Sequence, residues 1–245
     1  MANWNDPQPR MGFGESPSLS ANAGRVGYDA GLRRYMLSIY NYMASGVLLS
    51  GIVALLFANS SLAVPVLSSP LRWLIMLAPL GFVMAMSFGL NRMKTSTLQV
   101  LFWAFSVAMG LSLSSIFLVY TGASIATTFF ATAAAFAGLS LVGYTTKKDL
   151  SGFGTFLIMG VWGLLAAMVI NIFVQSSALN FAISLLGVAI FAGLTAYDTQ
   201  RLKQTYSHVA GSDMMGKVVI MGALSLYLDF INMFTFLLQF MGDRR

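Results

Sequence analysis

Seven long apolar stretches separated by short polar turns make up most of this chain. They cover residues 36–58, 71–90, 98–120, 123–143, 153–175, 178–198 and 217–240. Each is close to the ~20 residues that a helix needs to cross a bilayer. The apolar positions run continuously instead of alternating, so the pattern predicts helices and not the strands of a barrel. Short connections make consecutive helices antiparallel neighbours. The expected fold class is therefore an all-α integral membrane protein with seven transmembrane helices.

Residues 1–34 break the pattern. They are polar, rich in Gly, Ser, Asn and Pro, and carry Arg10, Arg25, Arg33 and Arg34. Such a segment buries too little to fold alone and is expected to be a flexible cytoplasmic tail. No apolar core follows a basic start within it, so it is not a signal peptide. The expected division is a tail over 1–34 and a seven-helix domain over 35–245.

Composition agrees with this reading. The chain is 57% hydrophobic and 9% charged, where a soluble domain carries about 25% charged residues. It has no cysteine, which excludes disulfides and Cys-based metal or redox sites. The net charge of +6 is scattered one to three residues at a time, which speaks for topology and against nucleic-acid binding. Arg10, Arg25, Arg33 and Arg34, then Arg92 and Lys94, Lys147 and Lys148, and Arg201, Lys203 and Lys217 fall on one side, eleven in all. The opposite turns hold Arg72. The N-terminus is thus expected in the cytoplasm. Arg244 and Arg245, at the end of the chain, oppose the rule if the seventh stretch crosses. It either crosses or re-enters, and crossing is the preferred reading.

Two acidic residues lie within the apolar stretches, Asp198 and Asp229. A carboxylate in such surroundings lines a cavity, meets a partner or carries a function. Asp198 ends the sixth stretch and could simply pair with Arg201 one turn later. Asp229 stands twelve residues past Lys217, roughly 18 Å along a helix, well inside the membrane. Alone, it could be a neutral acid donating a hydrogen bond to a neighbouring helix. Counted from the outer ends of the two helices, the aspartates are about one and a half turns apart in height, so tilt could bring them together. Two carboxyls in one dry site titrate as a unit. One shared proton would hold their helices together, and its loss would leave charges that repel or recruit a cation. Two carboxylates are a poor Ca²⁺ cage, because Ca²⁺ takes six to eight oxygens. Asn232, Tyr227, carbonyls and water would have to complete it, so transient passage fits better than storage.

Arg92 is either a counter-ion and latch for this pair or an ordinary loop charge. His208, in the polar segment between the last two stretches, reads as a solvated loop residue. Asn41, Asn171, Gln175 and Gln239 read as interhelical hydrogen bonders.

Tyr197-Asp198, followed after a basic segment by Ser225-Leu226-Tyr227-Leu228-Asp229-Phe230-Ile231-Asn232, resembles the Bax inhibitor-1 family, also called the transmembrane Bax inhibitor motif family. Lys147-Lys148-Asp149-Leu150 and the seven-helix layout are similar too, over residues 30–242. The short loops and Ala-, Gly- and Met-rich helices look like a bacterial member, which would sit in the plasma (inner) membrane. The resemblance implies a central C-terminal helix surrounded by six others, with Asp198 and Asp229 as a paired pH sensor. It further implies a pH-sensitive calcium leak channel, in bacteria with links to a membrane-bound AAA protease. A basic latch at the end of the second helix would fall on Arg92, although Asn91 competes for that register.

The leading functional expectation is a pH-gated calcium or cation leak channel, with the last helix as its moving part. No enzyme activity and no resident cofactor are expected, only transient Ca²⁺ at Asp198 and Asp229. The alternative is a membrane regulator that restrains another membrane protein, such as a protease. An intramembrane aspartyl protease is a third reading, since paired aspartates can act as acid and base. Tyr197-Asp198 echoes such enzymes, but Leu226-Tyr227-Leu228 stands where they carry Gly-x-Gly. A retinal protein needs a lysine inside its last helix, and Lys217 is only at the edge.

Overall fold

The computed structural model describes residues 17–245. Eight helices follow in order: α1 (Pro17–Ala58), α2 (Ala63–Ser68), α3 (Leu71–Gly89), α4 (Thr95–Val119), α5 (Gly122–Thr145), α6 (Ser151–Val174), α7 (Ser177–Val209) and α8 (Met214–Met241). The short α2 lies in a turn. The other seven are long and apolar enough to span a membrane, as the hydrophobic pattern predicts. Their outer faces expose Phe88, Phe130, Trp162 and Phe173, which suits hydrocarbon and not water.

The helices start and stop where the sequence supplies partners for free backbone groups. Thr121 and Ser176 cap α5 and α7 by accepting from the amides of Ser124 and Leu179. Asp149, just before α6, accepts from the Ser151 amide at 2.9 Å and hydroxyl at 2.7 Å. These caps satisfy donors that a helix leaves open at its N-terminus.

The last helix is the centre of the bundle. α8 is buried along most of its apolar length, whereas α3 and α6 are mostly exposed. Tyr227, Leu226, Met233, Leu238 and Ile220 are among its fully buried side chains. The six other spans surround α8 in two tiers. α1, α4, α5 and α7 pack on it directly, while α3 leans chiefly on α4 and α6 on α7.

The seventh span crosses. At its start, the Lys217 ammonium donates to the Leu90 carbonyl, in the turn after α3. At its end, the Thr121 amide donates to Asp243 O, and the Arg245 amide to Val119 O, at the turn between α4 and α5. Those turns are at opposite ends of α4, so α8 runs from one side of the bundle to the other.

Two expected boundaries move. The first helix starts at Pro17 and not at residue 36. Of the expected tail, residues 1–16 lie outside the described residues, while 17–34 are helical. Leu32 and Tyr35 are buried there, and Tyr28 and Tyr35 lie against Tyr206 of α7, with ring centroids 5.2 and 5.3 Å apart. Likewise α7 continues past Asp198 to Val209, so His208 stands in a helical last turn and not in a loop. The 33 residues of α7 measure about 50 Å, longer than the ~30 Å hydrocarbon core. The extensions of α1 and α7 support each other beyond the apolar belt, which explains why neither shows as an apolar run.

Candidate functional site

The close approaches between α7 and α8 define which faces meet. A Cβ on Gly222 would stand 2.7 Å from Leu202, and one on Gly187 would stand 2.5 Å from the Phe236 ring. Gly222, Asp229 and Phe236 are seven residues apart, so they share one face of α8, turned to α7. On α7 the spacing Gly187, Phe191, Leu194, Asp198, Leu202 forms the answering stripe, with Phe191 stacked on Phe236 at 5.9 Å. Steps of three and four are the spacing of a helical seam. Both aspartates therefore lie in this seam. The contacts put Asp198 level with the stretch from Ser225 to Asp229, so the two aspartates are within about one turn of each other along the axis.

The two carboxyls belong to facing stripes of one seam. Asp229 is 5% exposed, and its Oδ2 is buried without a hydrogen-bond partner. Asp198 is half-buried, with Arg201 three residues further along the same helix. Small residues let neighbours close around this segment. At Gly143 of α5 a Cβ would overlap the Ala196 carbonyl, and at Gly154 of α6 it would overlap the Tyr197 ring. α7 is thus held on two further sides at the residues just before Asp198.

The accessory residues have surroundings of their own. Arg92 is exposed in the turn after α3, and Asn232 donates to the Leu228 carbonyl of its own helix at 2.8 Å. The Tyr227 hydroxyl is 2.6 Å from Ser50 Oγ, which donates to the Ser106 carbonyl at 2.6 Å. That network ties α8 to α1 and α4. Asn171 accepts from the Ser176 amide beyond its own helix end, and Gln239 meets Ser184 across the seam at 3.5 Å.

Three polar residues have roles that sequence reasoning did not assign. Gln200 accepts from the Leu150 amide at 2.9 Å and donates to the Lys148 carbonyl at 2.7 Å, pinning the turn between α5 and α6. Lys203 donates to the Tyr144 carbonyl at 2.7 Å and lies 4.9 Å from the Tyr144 ring centroid. Lys217 caps the end of α3 in the same manner. A lysine over the last carbonyls of a helix answers their partial negative charge. The available signal was the run Thr199 to His208, whose helix-forming residues allow α7 to continue. Among the described residues no group of three or more His, Cys, Asp or Glu side chains converges as a metal site.

A central apolar helix wrapped by six others, with an acidic seam against its predecessor, defines an all-α membrane protein of seven spans. The family described as "Inhibitor of apoptosis-promoting Bax1" matches residues 32–245, and the chain belongs to this Bax inhibitor-1 family. An uncharacterised protein of Caulobacter vibrioides is 47% identical, covering 95% of this chain and 97% of its own. An uncharacterised protein of Rickettsia prowazekii is 44% identical over 93% of this chain and 97% of its own. The inner membrane protein YbhL of Escherichia coli is 44% identical over 88% of this chain and 94% of its own.

Proposed function

We propose that this protein is a pH-sensitive leak pathway for calcium or other cations, with Asp198 and Asp229 as sensor and constriction. It would act in a bacterial inner membrane, as the name of the similar E. coli protein suggests. The basic turns would face the cytoplasm, following the usual inside-positive bias. One observation carries the reading. The Asp229 carboxyl is buried in the central helix with an unpartnered oxygen, on the seam that also carries Asp198.

The chemistry follows from that placement. With one proton between them, the carboxyls hold the α7–α8 seam closed. Without it, they repel or attract a cation. Two unit charges one helical turn apart, ~5.4 Å, interact by about 3 kcal/mol at an effective dielectric of 20, enough to bias an element with two arrangements. Two carboxylates leave most of a Ca²⁺ shell to water and carbonyls, so an ion would pass and not stay.

The test is calcium flux into liposomes carrying the purified protein, measured against pH. Wild type should show a pH-dependent flux, and Asp198→Asn and Asp229→Asn should each flatten it. Unchanged pH dependence in both variants would remove the sensor. No flux above empty liposomes at any pH would remove the channel.

A further inference from the structure

α1 and α5 each pack on α7 and α8, but a crevice of about 840 Å³ opens between them. That volume is in the upper part of the range of ligand pockets, about 300–1,000 Å³. Its walls are one stripe of each helix, with Tyr40, Met43 and Val47 on α1 facing Ala133, Phe136 and Ser140 on α5. Phe230 of α8 lines it too, with Phe129 and Phe136 edge-on to its ring, both at 5.6 Å. Along α1 the lining runs from Arg33 to Leu48, roughly 22 Å of helix. One leaflet is half of a core about 30 Å thick, so the crevice is longer than one leaflet is thick.

The two ends differ. Deep in the bundle the lining is aliphatic and aromatic. At the end of the bundle that carries the basic turns stand Arg33, Tyr40 and Tyr144. Arg33 is exposed, and Lys203 is held against the Tyr144 ring beside it. Asp29, one turn before Arg33, lines a separate cleft with Lys203 and His208. An apolar slot that opens sideways among membrane helices, with a cation at headgroup height, matches a lipid in length and in charge.

We propose that this crevice binds an anionic phospholipid, with one acyl chain between α1 and α5 and the phosphate on Arg33. The chain would lie against Phe230, the neighbour of Asp229. It would also reach Ser140, whose hydroxyl is 3.4 Å from that of Thr199, the neighbour of Asp198. The lipid site does not depend on the proposed leak activity, since its residues and its readout are separate.

The experiment is native mass spectrometry of the full chain, released from nanodiscs made of equal parts phosphatidylglycerol and phosphatidylethanolamine. Wild type should retain a single phospholipid, enriched in phosphatidylglycerol. Ala137→Trp and Ala44→Trp fill the crevice from its α5 and α1 walls, and both positions are exposed, so the core is untouched. Each variant should lose the retained lipid while keeping wild-type helicity by circular dichroism, and either folded variant decides the matter. Arg33→Gln should keep a lipid but lose the preference for phosphatidylglycerol. Wild type without a stoichiometric lipid, or folded crevice-filling variants that retain it, would overturn the proposal. So would a wild-type dimer that these substitutions split, because the occupant would then be a second copy of the chain.

Discussion

Several single polar residues here act by closing the ends of helices. Asp149 is the case with a defined pH dependence. It is fully exposed, and its hydrogen bonds from the Ser151 hydroxyl and amide hold its carboxyl below the usual range. Since the ionised form is favoured in the folded state, its contribution is complete at pH values above the unfolded value of about 3.9. It is lost as pH falls through the lowered folded value. Asp149→Ala should therefore reduce thermal stability in detergent at pH 7, and the difference from wild type should shrink only in strong acid. A difference that stayed constant down to the lowest attainable pH would mean that the carboxylate charge is irrelevant to the cap. Residues of this kind are legible in the chain alone, because the acid, the turn and the following serine are contiguous. Gln200, Lys203 and Lys217 are not, because their partners lie 52, 59 and 127 positions away. A lysine at a membrane boundary looks the same in sequence whether it faces water or caps another helix.

At the level of helices, the apolar runs located all seven spans and most of their ends to within a few residues, the start of α1 and the end of α7 excepted. α1 and α7 extend into polar sequence because each shields the other, through Tyr28, Tyr35 and Tyr206. Local hydropathy carries no trace of such mutual support. The α7–α8 seam was partly legible. The seven-residue spacing of Gly222, Asp229 and Phe236 is visible in the chain, but what they face is fixed by the partner helix. Glycines look alike in sequence and differ sharply in place. A Cβ at Gly143 would overlap the Ala196 backbone carbonyl, whereas at Gly163 it meets nothing within 4 Å. Backbone cannot rotate away as a side chain can, so α5 and α7 would have to separate. Gly143→Ala should destabilise the protein by about 1–3 kcal/mol, the usual range for overpacking. Gly163→Ala should be neutral or slightly stabilising, because alanine suits a helix better than glycine. Scanning fluorimetry of the two variants in the same detergent checks this, and equal melting temperatures would show that the α5–α7 contact is not as tight as the geometry has it.

For the molecule as a whole, the question is what holds a buried central helix in place along its axis. The seam with α7 sets its register. α8 is tied at both ends. Lys217 is bonded to the end of α3, and residues 243–245 form a short antiparallel strap against the turn between α4 and α5. In that strap the Asp243 amide donates to Ser124 Oγ at 2.9 Å, Arg244 bridges to Tyr120, and the Arg245 amide donates to Val119 O at 2.9 Å. The Arg244 guanidinium also lies 5.9 Å from the Tyr120 ring centroid. Most of these contacts involve main chain, so they position the helix without specifying its sequence. If α8 is the element that moves when the aspartates change charge, this strap opposes the movement at the end farthest from the basic turns. A chain ending at Gly242 should fold with wild-type helicity, because the removed residues bury nothing in the core. Its basal calcium flux in liposomes should rise above that of wild type, while a response to pH remains, since both carboxyls are intact. An unchanged basal flux would show that the strap only finishes the chain, and that the restraint on α8 resides in the seam and in Lys217. Lys217→Met would then be the variant to carry the excess flux.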